Sequence, residues 1–131
     1  MWLDAALLVI NKPAGLRSLP DGYDPSRPYV RALLEPHYGR LWMVHRLDKE
    51  TSGVLVLARS AESHRILNTQ FEQHQVRKTY HALAAGCPPW EETTVCLPLR
   101  PNGDRRHRTV VDQSNGKSAL THLRLLRRFP A

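Results

Sequence analysis

Two runs of apolar residues, Ala5–Ile10 and Val54–Ala58, place the strongest limit on how this chain can fold. Short continuous runs of this kind are typical of strands that are buried on both faces. The first run is followed closely by Pro13 and Gly15, which force a turn. The second run is rich in β-branched residues and is predicted to be a central strand.

Two helices are predicted between and after these strands. The first covers Tyr29–Leu34, and Pro36 is expected to end it. The second covers Ala61–Gln75, with Ser60 as its N-cap. Helical spacing predicts core contacts for three of its apolar residues, Ile66, Leu67 and Phe71.

Further strands are predicted in the second half of the chain. The stretch "KTYHALAAG" alternates like a strand and ends in a glycine turn. Three more candidates are Val95–Leu97, His107–Val111 and Ala119–Leu126. Strands outnumber helices and do not alternate with them strictly. The prediction is an α+β domain with a mixed, mainly antiparallel sheet and a few flanking helices.

Positive charge is concentrated at the C-terminal end of the chain. The net charge is +7 over 131 residues. From Met1 to Leu99 there are eleven Lys and Arg against ten Asp and Glu, whereas from Arg100 to Ala131 there are eight against two. Such patches attract phosphate backbones, so a nucleic acid is the expected partner; the alternative on charge alone is a solvated face with a basic tail. Most of the turn-rich basic loop is the stretch "RPNGDRRHR", Arg100–Arg108. Three of its arginines are predicted to contact phosphates: Arg105, Arg106 and Arg108.

Composition and spacing argue against several other classes of protein. No apolar run approaches the roughly 20 residues that cross a bilayer, and the N-terminus has no basic region typical of a secretory signal. Cys87 and Cys96 form neither a disulfide framework nor a paired zinc-ligand spacing, and the histidines are scattered singly. The expectation is a cytoplasmic protein with no bound metal and no membrane contact.

The charged loop between the apolar flanks of the stretch Met43–Ala58, "MVHRLDKETSGVLVLA", contains the strongest candidate for a reactive residue. In an extended segment residues i and i+2 point to the same side, so Arg46 and Asp48 are expected to project together, away from His45 and Leu47. The guanidinium favours the ionised carboxylate. Arg–Asp pairs are also ordinary structural features of turns, so the residues alone leave both interpretations open.

Four motifs in order resemble those of the RluA-type RNA pseudouridine synthases. "HRLDKETSG", His45–Gly53, followed by "VLVLA", resembles the family's signature. "VINKPAGL" upstream resembles its first motif, "RKTYHAL" its Lys-x-Tyr motif, and "KSALTHLRLL" the strand before its last motif.

The resemblance implies the pseudouridine synthase catalytic fold and isomerisation of uridine to pseudouridine in structured RNA, ribosomal or transfer. It implies Asp48 as the catalytic carboxylate, acting either by covalent addition or by removal of a ribose 2′ proton. No metal or organic cofactor is implied. Tyr80 would stack on the uracil, and Arg46 would fill the space left by the flipped base. Further residues expected at the substrate are His45, Lys78 and Thr51.

The chain departs from the family pattern after Leu126. A "GRTHQIR"-like segment, expected there with an arginine for the catalytic aspartate, is missing. The expectation is that residues 1–131 form the N-terminal portion of a catalytic domain, monomeric when complete. The alternative is an RNA-binding remnant without turnover. A carbohydrate enzyme is a weaker third reading, because it normally needs two acting carboxylates and Glu50 is poorly placed as the second.

Overall fold

The computed structural model describes residues 1–106 and 108–129 and divides the chain into two compact units, Met1–Tyr80 and His81–Ala131. The first unit contains β1 (Trp2–Leu3), β2 (Leu7–Lys12), α1 (Val30–Tyr38), β3 (Trp42–Met43), β4 (Gly53–Ala58) and α2 (Ala61–Glu72). The second contains β5 (Glu92–Arg100), β6 (Val110–Val111) and β7 (Lys117–Arg124). Neither α1 nor α2 has the length and hydrophobicity of a membrane-spanning helix.

The sheet of the first unit has the strand order β1-β2-β4-β3, and all its neighbouring strands are antiparallel. The two apolar runs therefore lie side by side, with β4 in an interior position as predicted. Leu8 of β2 faces Leu57 of β4, and both are fully buried. Their face of the sheet packs with Val30 of α1, and with Leu47 from the charged loop, in one hydrophobic cluster.

The α+β prediction with a mainly antiparallel sheet and few helices is confirmed, although two helix details are wrong. Pro36 does not end α1, which continues to Tyr38; the missing N–H and the ring of this proline fall in the last turn, where few residues follow to be displaced. The helix ends at Gly39, whose φ is 74° and whose N–H donates to the Glu35 carbonyl. Ser60 caps α2 as predicted, accepting a bond from the Ser63 N–H.

The predicted core contact of Ile66 is wrong, because its side chain is 47% exposed. Leu67 and Phe71 are half-buried, and since they lie four residues apart they share one face of α2. Ile66 is rotated about 100° from Leu67 on the helix, which turns it away from that face.

The second unit is a three-stranded antiparallel sheet in the order β6-β5-β7. Its strands agree with three predicted ones, except that His107 lies outside the described residues. The predicted strand in "KTYHALAAG" is wrong: residues 78–86 are not assigned to any strand. Alternation alone cannot make a strand, which needs a hydrogen-bonded neighbour, and none pairs with this segment in the described part of the chain.

We expect Leu55→Ala to lower the free energy of unfolding by about 2–5 kcal/mol, because it opens a cavity beneath an interior strand. Leu55 is fully buried, whereas its neighbour Val54 is 66% exposed on the opposite face of the same strand. Equilibrium urea unfolding measures both variants. Val54→Ala is the control, with an expected change within about 0.5 kcal/mol. Equal losses for the two variants would contradict the described burial of β4.

Candidate active site

The charged loop leaves β3 and returns to β4 through a tight turn. The Thr51 N–H donates to the Asp48 carbonyl at 3.1 Å, and Gly53 at the start of β4 has a φ of 126°, which L-residues rarely adopt. The turn therefore joins the loop directly to the interior strand. Asp48 lies at its first position.

Arg46 and Asp48 project together, as the alternation predicts. Their side chains are 70% and 81% exposed, and Arg46 Nη2 lies 3.6 Å from Asp48 Oδ1. Leu47 between them points the other way and is 6% exposed. An exposed pair at this distance contributes about 0–1 kcal/mol to stability. Both charged groups are consequently available to a ligand at little cost to the fold.

A buried lysine holds the loop from below. The Lys12 ammonium donates to the carbonyls of Pro13 (2.9 Å), Leu16 (2.7 Å) and Lys49 (3.2 Å), which uses all three of its protons. Burial lowers the pKa of Lys12, while the negative charges of Glu50 and Asp48 act in the opposite direction. The position following Asp48 is thereby tied to the end of β2.

This anchoring role of Lys12 was not deduced from the sequence. A usable signal is present, because Leu8, Ile10 and Lys12 alternate onto one face of β2. A lysine that continues a buried apolar row needs internal acceptors, and the turn after it supplies two of them.

A second anchor comes from the irregular loop after the first turn. Ser18 Oγ donates to the Leu47 carbonyl at 2.6 Å and accepts from the Leu47 N–H at 3.1 Å. Ser18 is 4% exposed. Together with Lys12, it fixes the backbone on both sides of Asp48.

The side chain of His45 takes the place of a backbone partner for β4 and does not lie on the exposed side of the charged loop. Pairing of β3 with β4 ends at Met43–Leu57, and at the next position His45 Nε2 accepts the Val56 N–H at 3.0 Å. The ring stacks on Phe71 with centroids 4.8 Å apart. Burial, and secondarily the positive charge of Lys78, lowers the pKa of His45. A neutral ring is required, since a protonated Nε2 cannot accept a hydrogen bond.

A small pocket opens beside the exposed pair. Its volume is about 120 Å³, and its walls are residues 17–20 on one side and residues 46–49 on the other. This is smaller than the roughly 300–1,000 Å³ of sites that enclose a drug-sized ligand. The pocket can therefore enclose only part of a ligand of that size. A larger, open depression of about 450 Å³ in the second unit lies against the paired ends of β5 and β7 and contains none of the predicted site residues.

The remaining predicted residues of the first unit are less closely tied to this pocket. Thr51 belongs to the turn that starts at Asp48, and the charge of Lys78 acts on His45. Tyr80 is 57% exposed in the unpaired segment, with no hydrogen bond to its side chain among the described residues. Its stacking role stays a prediction.

The basic loop of the second unit is organised by one carboxylate. Asp104 accepts the backbone N–H groups of Arg106 and Arg108 and pairs with the Arg108 guanidinium at 2.7 Å. The Arg108 N–H and its guanidinium lower the pKa of Asp104. All three arginines have exposed side chains, but among the described residues only Arg108 is paired with a carboxylate. Among the residues that the structure describes, no group of three or more His, Cys, Asp or Glu could hold a metal ion.

Comparison with known proteins identifies the class of this chain. A sequence model of the family described as RNA pseudouridylate synthase matches residues 6–130. The chain therefore belongs to the RNA pseudouridylate synthase family, and the charged loop lies within the matched region.

Individual relatives agree with this assignment. The chain is 38% identical over 132 residues to an uncharacterized RNA pseudouridine synthase of Zymomonas mobilis, covering 96% of this chain and 59% of the relative. It is 35% identical over 121 residues to the dual-specificity RNA pseudouridine synthase RluA of Escherichia coli, covering 92% and 55%. The chain thus spans about half the length of these curated relatives.

A solved structure shows the same fold. Human RNA pseudouridylate synthase domain containing 1 superimposes with a TM-score of 0.75 at 25% identity, covering 95% of this chain and 50% of the human one. Human RNA pseudouridylate synthase domain containing 4 gives a TM-score of 0.62 at 27% identity. The predicted family and its catalytic fold are both confirmed.

We expect acid to destabilise the first unit through His45. Because the folded-state pKa of His45 is lowered from 6.5, the unfolded chain binds its proton first as the pH falls. The stabilisation of the folded state by neutral His45 is complete above about pH 6.5 and is lost as the pH falls through the folded-state pKa. An NMR titration of the His45 ring should give a pKa below 6.5.

The matched control for this prediction is His45→Gln. Its side-chain oxygen can accept the Val56 N–H but does not titrate, so the urea midpoint should fall less between about pH 7.5 and pH 5 than in the unsubstituted protein. A His45 ring that titrates at 6.5 or above would contradict the prediction.

Proposed function

We propose that this protein isomerises uridine to pseudouridine in RNA and that Asp48 is its catalytic carboxylate. The observation that carries the proposal is the Asp48–Arg46 pair itself. It is exposed beside a pocket, its backbone is anchored on both sides, and it lies within the region matched to the family.

The reaction rearranges one nucleoside without an external reactant. The C1′–N1 glycosidic bond breaks, the uracil turns, and a C1′–C5 bond forms; C5 then loses its proton and N1 gains one. An ionised oxygen at Asp48 can serve this sequence either by adding to the nucleoside or by removing a ribose 2′ proton. Both roles need the carboxylate held in a fixed place, which the anchored backbone supplies.

The other predicted site residues act either on the flipped base or on the surroundings of Asp48. The uridine must leave the RNA stack, which costs a few kcal/mol. In the proposal Arg46 enters the vacated space and Tyr80 stacks on the extruded uracil. Lys78 and Thr51 line the approach to Asp48, and His45 contributes from beneath by holding the loop. No metal or organic cofactor takes part.

The proposed substrate is structured RNA. Relatives include a ribosomal large subunit pseudouridine synthase D of Zymomonas mobilis, at 34% identity, which favours ribosomal RNA, and the family resemblance adds transfer RNA. Work on such RNAs would place the protein in the cytoplasm. Residues 1–131 would act as the N-terminal portion of the catalytic domain. Arg105, Arg106 and Arg108 would bind phosphates.

We expect Asp48→Asn to abolish turnover while leaving RNA affinity within about twofold, because it removes the reacting charge with almost no change in shape. Tritium release from RNA carrying [5-³H]uridine measures the loss of the C5 proton. Glu50→Gln is the control: Glu50 is also exposed and lies two residues away, paired with Lys49. It should retain activity.

Each outcome of this experiment separates the competing functions. Tritium release by the unsubstituted protein that survives in Asp48→Asn would contradict the assignment of Asp48. Salt-dependent RNA binding with no release from any cellular RNA pool would favour an RNA-binding remnant. The two-carboxylate chemistry of a glycosidase would leave the C5 tritium in place, so tritium release by the unsubstituted protein would contradict that third function.

We expect the double variant Arg105→Ala, Arg106→Ala to bind RNA with a weaker salt dependence. Each lost phosphate contact reduces the slope of log K against log salt by about 0.7 on single strands and about 0.9 on duplexes, so two contacts remove about 1.4–1.8. Fluorescence anisotropy with a labelled RNA stem-loop over a range of KCl concentrations measures it. Arg65→Ala, on the exposed face of α2, is the control; an unchanged slope in the double variant would refute phosphate contact.

A further inference from the structure

Two backbone anchors directly precede Ser18 in the chain. The carbonyl of Leu16 accepts the Lys12 ammonium at 2.7 Å, and the carbonyl of Arg17 accepts the Val30 N–H at 2.9 Å. Val30 is the first residue of α1 and is 1% exposed in the core. The backbone leading into Ser18 is therefore held by Lys12 of β2 and by the first residue of α1.

From this fixed position one hydroxyl makes two bonds to one residue. Ser18 Oγ donates to the Leu47 carbonyl and accepts from the Leu47 N–H. A hydroxyl is one of the few side-chain groups that can do both with a single atom. Ser18 and Leu47 are 4% and 6% exposed, so bulk water has little access to compete for either bond.

Leu47 is the residue on which the direction of the exposed pair depends. Arg46 and Asp48 are its immediate neighbours, and their side chains project opposite to its own. A rotation of either peptide group of Leu47 would swing one of these charges away from the pocket. Ser18 also lines that pocket, together with Leu47 and Asp48.

We propose that Ser18 is a positioning residue for the reaction, one that aims Asp48 and Arg46 by fixing both backbone groups of Leu47. This inference rests on the proposed function for its kinetic consequence. Ser18 touches neither the carboxylate nor the guanidinium in this role. It limits the orientations in which they meet the nucleoside.

The test compares Ser18→Ala with Ser18→Thr and with Ser26→Ala in the full chain. Ser18→Ala removes both bonds, whereas Ser18→Thr keeps the hydroxyl. Ser26 is the matched control, because its exposed hydroxyl bonds to Asp24 on the same loop, away from Leu47. Single-turnover tritium release from [5-³H]uridine RNA gives the rate, and anisotropy with the same RNA gives Kd.

We expect Ser18→Ala to slow the single-turnover rate about 10- to 100-fold, the scale set by small misplacements of reacting groups, with Kd changed less than about twofold. Ser18→Thr should recover most of the rate, and Ser26→Ala should match the unsubstituted protein. A Ser18→Ala rate within about twofold of the unsubstituted one would overturn the proposal, as would a loss confined to Kd.

Amide hydrogen exchange supplies a readout that does not need turnover. The Leu47 N–H should exchange at least about tenfold faster in Ser18→Ala, with NMR shift changes at Arg46 and Asp48, while β4 amides remain protected. Unchanged exchange at Leu47 would overturn the positioning role. An unsubstituted protein without tritium release would overturn the proposed function instead, and the exchange result would still decide whether Ser18 holds the loop.

Discussion

The buried Lys12 ammonium is the interaction on which the arrangement of the first unit depends. Moving a lone ammonium out of water is prohibitively costly, so the fold can keep it only where internal acceptors replace the lost hydration. Those acceptors come from the turn after β2 and from the turn after Asp48. The Gly15 N–H reaches the same Lys49 carbonyl at 2.8 Å. One charge thus obliges two distant turns to meet at the end of the sheet.

In the charged loop, some residues anchor the backbone and others face the solvent. Leu47 and His45 point inward and are engaged by Ser18, Val56 and Phe71. Arg46 and Asp48 point outward, and their mutual attraction contributes little to stability because water screens it. The anchoring contacts therefore fix the backbone of the loop, while no packing constrains the charged groups of Arg46 and Asp48. This is the pattern expected of a functional group carried on a rigid scaffold.

Local periodicity explains which parts of this structure could be predicted from the sequence. The strands β2 and β4, the Ser60 cap and the outward pairing of Arg46 with Asp48 all follow from spacing within a few residues. The contacts of Ser18 with Leu47 and of Lys12 with Lys49 join segments 29 and 37 residues apart, and no local pattern encodes them. The strand predicted in residues 78–86 failed for the same reason, because pairing depends on a distant partner. The family was predicted from four sequence motifs in their usual order, and not from physical reasoning about individual residues.

Gly53 shows how tightly the turn behind Asp48 is constrained. A β-carbon built there would meet no atom within 4 Å, yet its φ of 126° is one that L-residues rarely adopt. The barrier to replacing this glycine is therefore one of handedness and not of volume. Even alanine would have to unwind the start of β4, whereas a residue of the opposite chirality could occupy the same backbone without that strain.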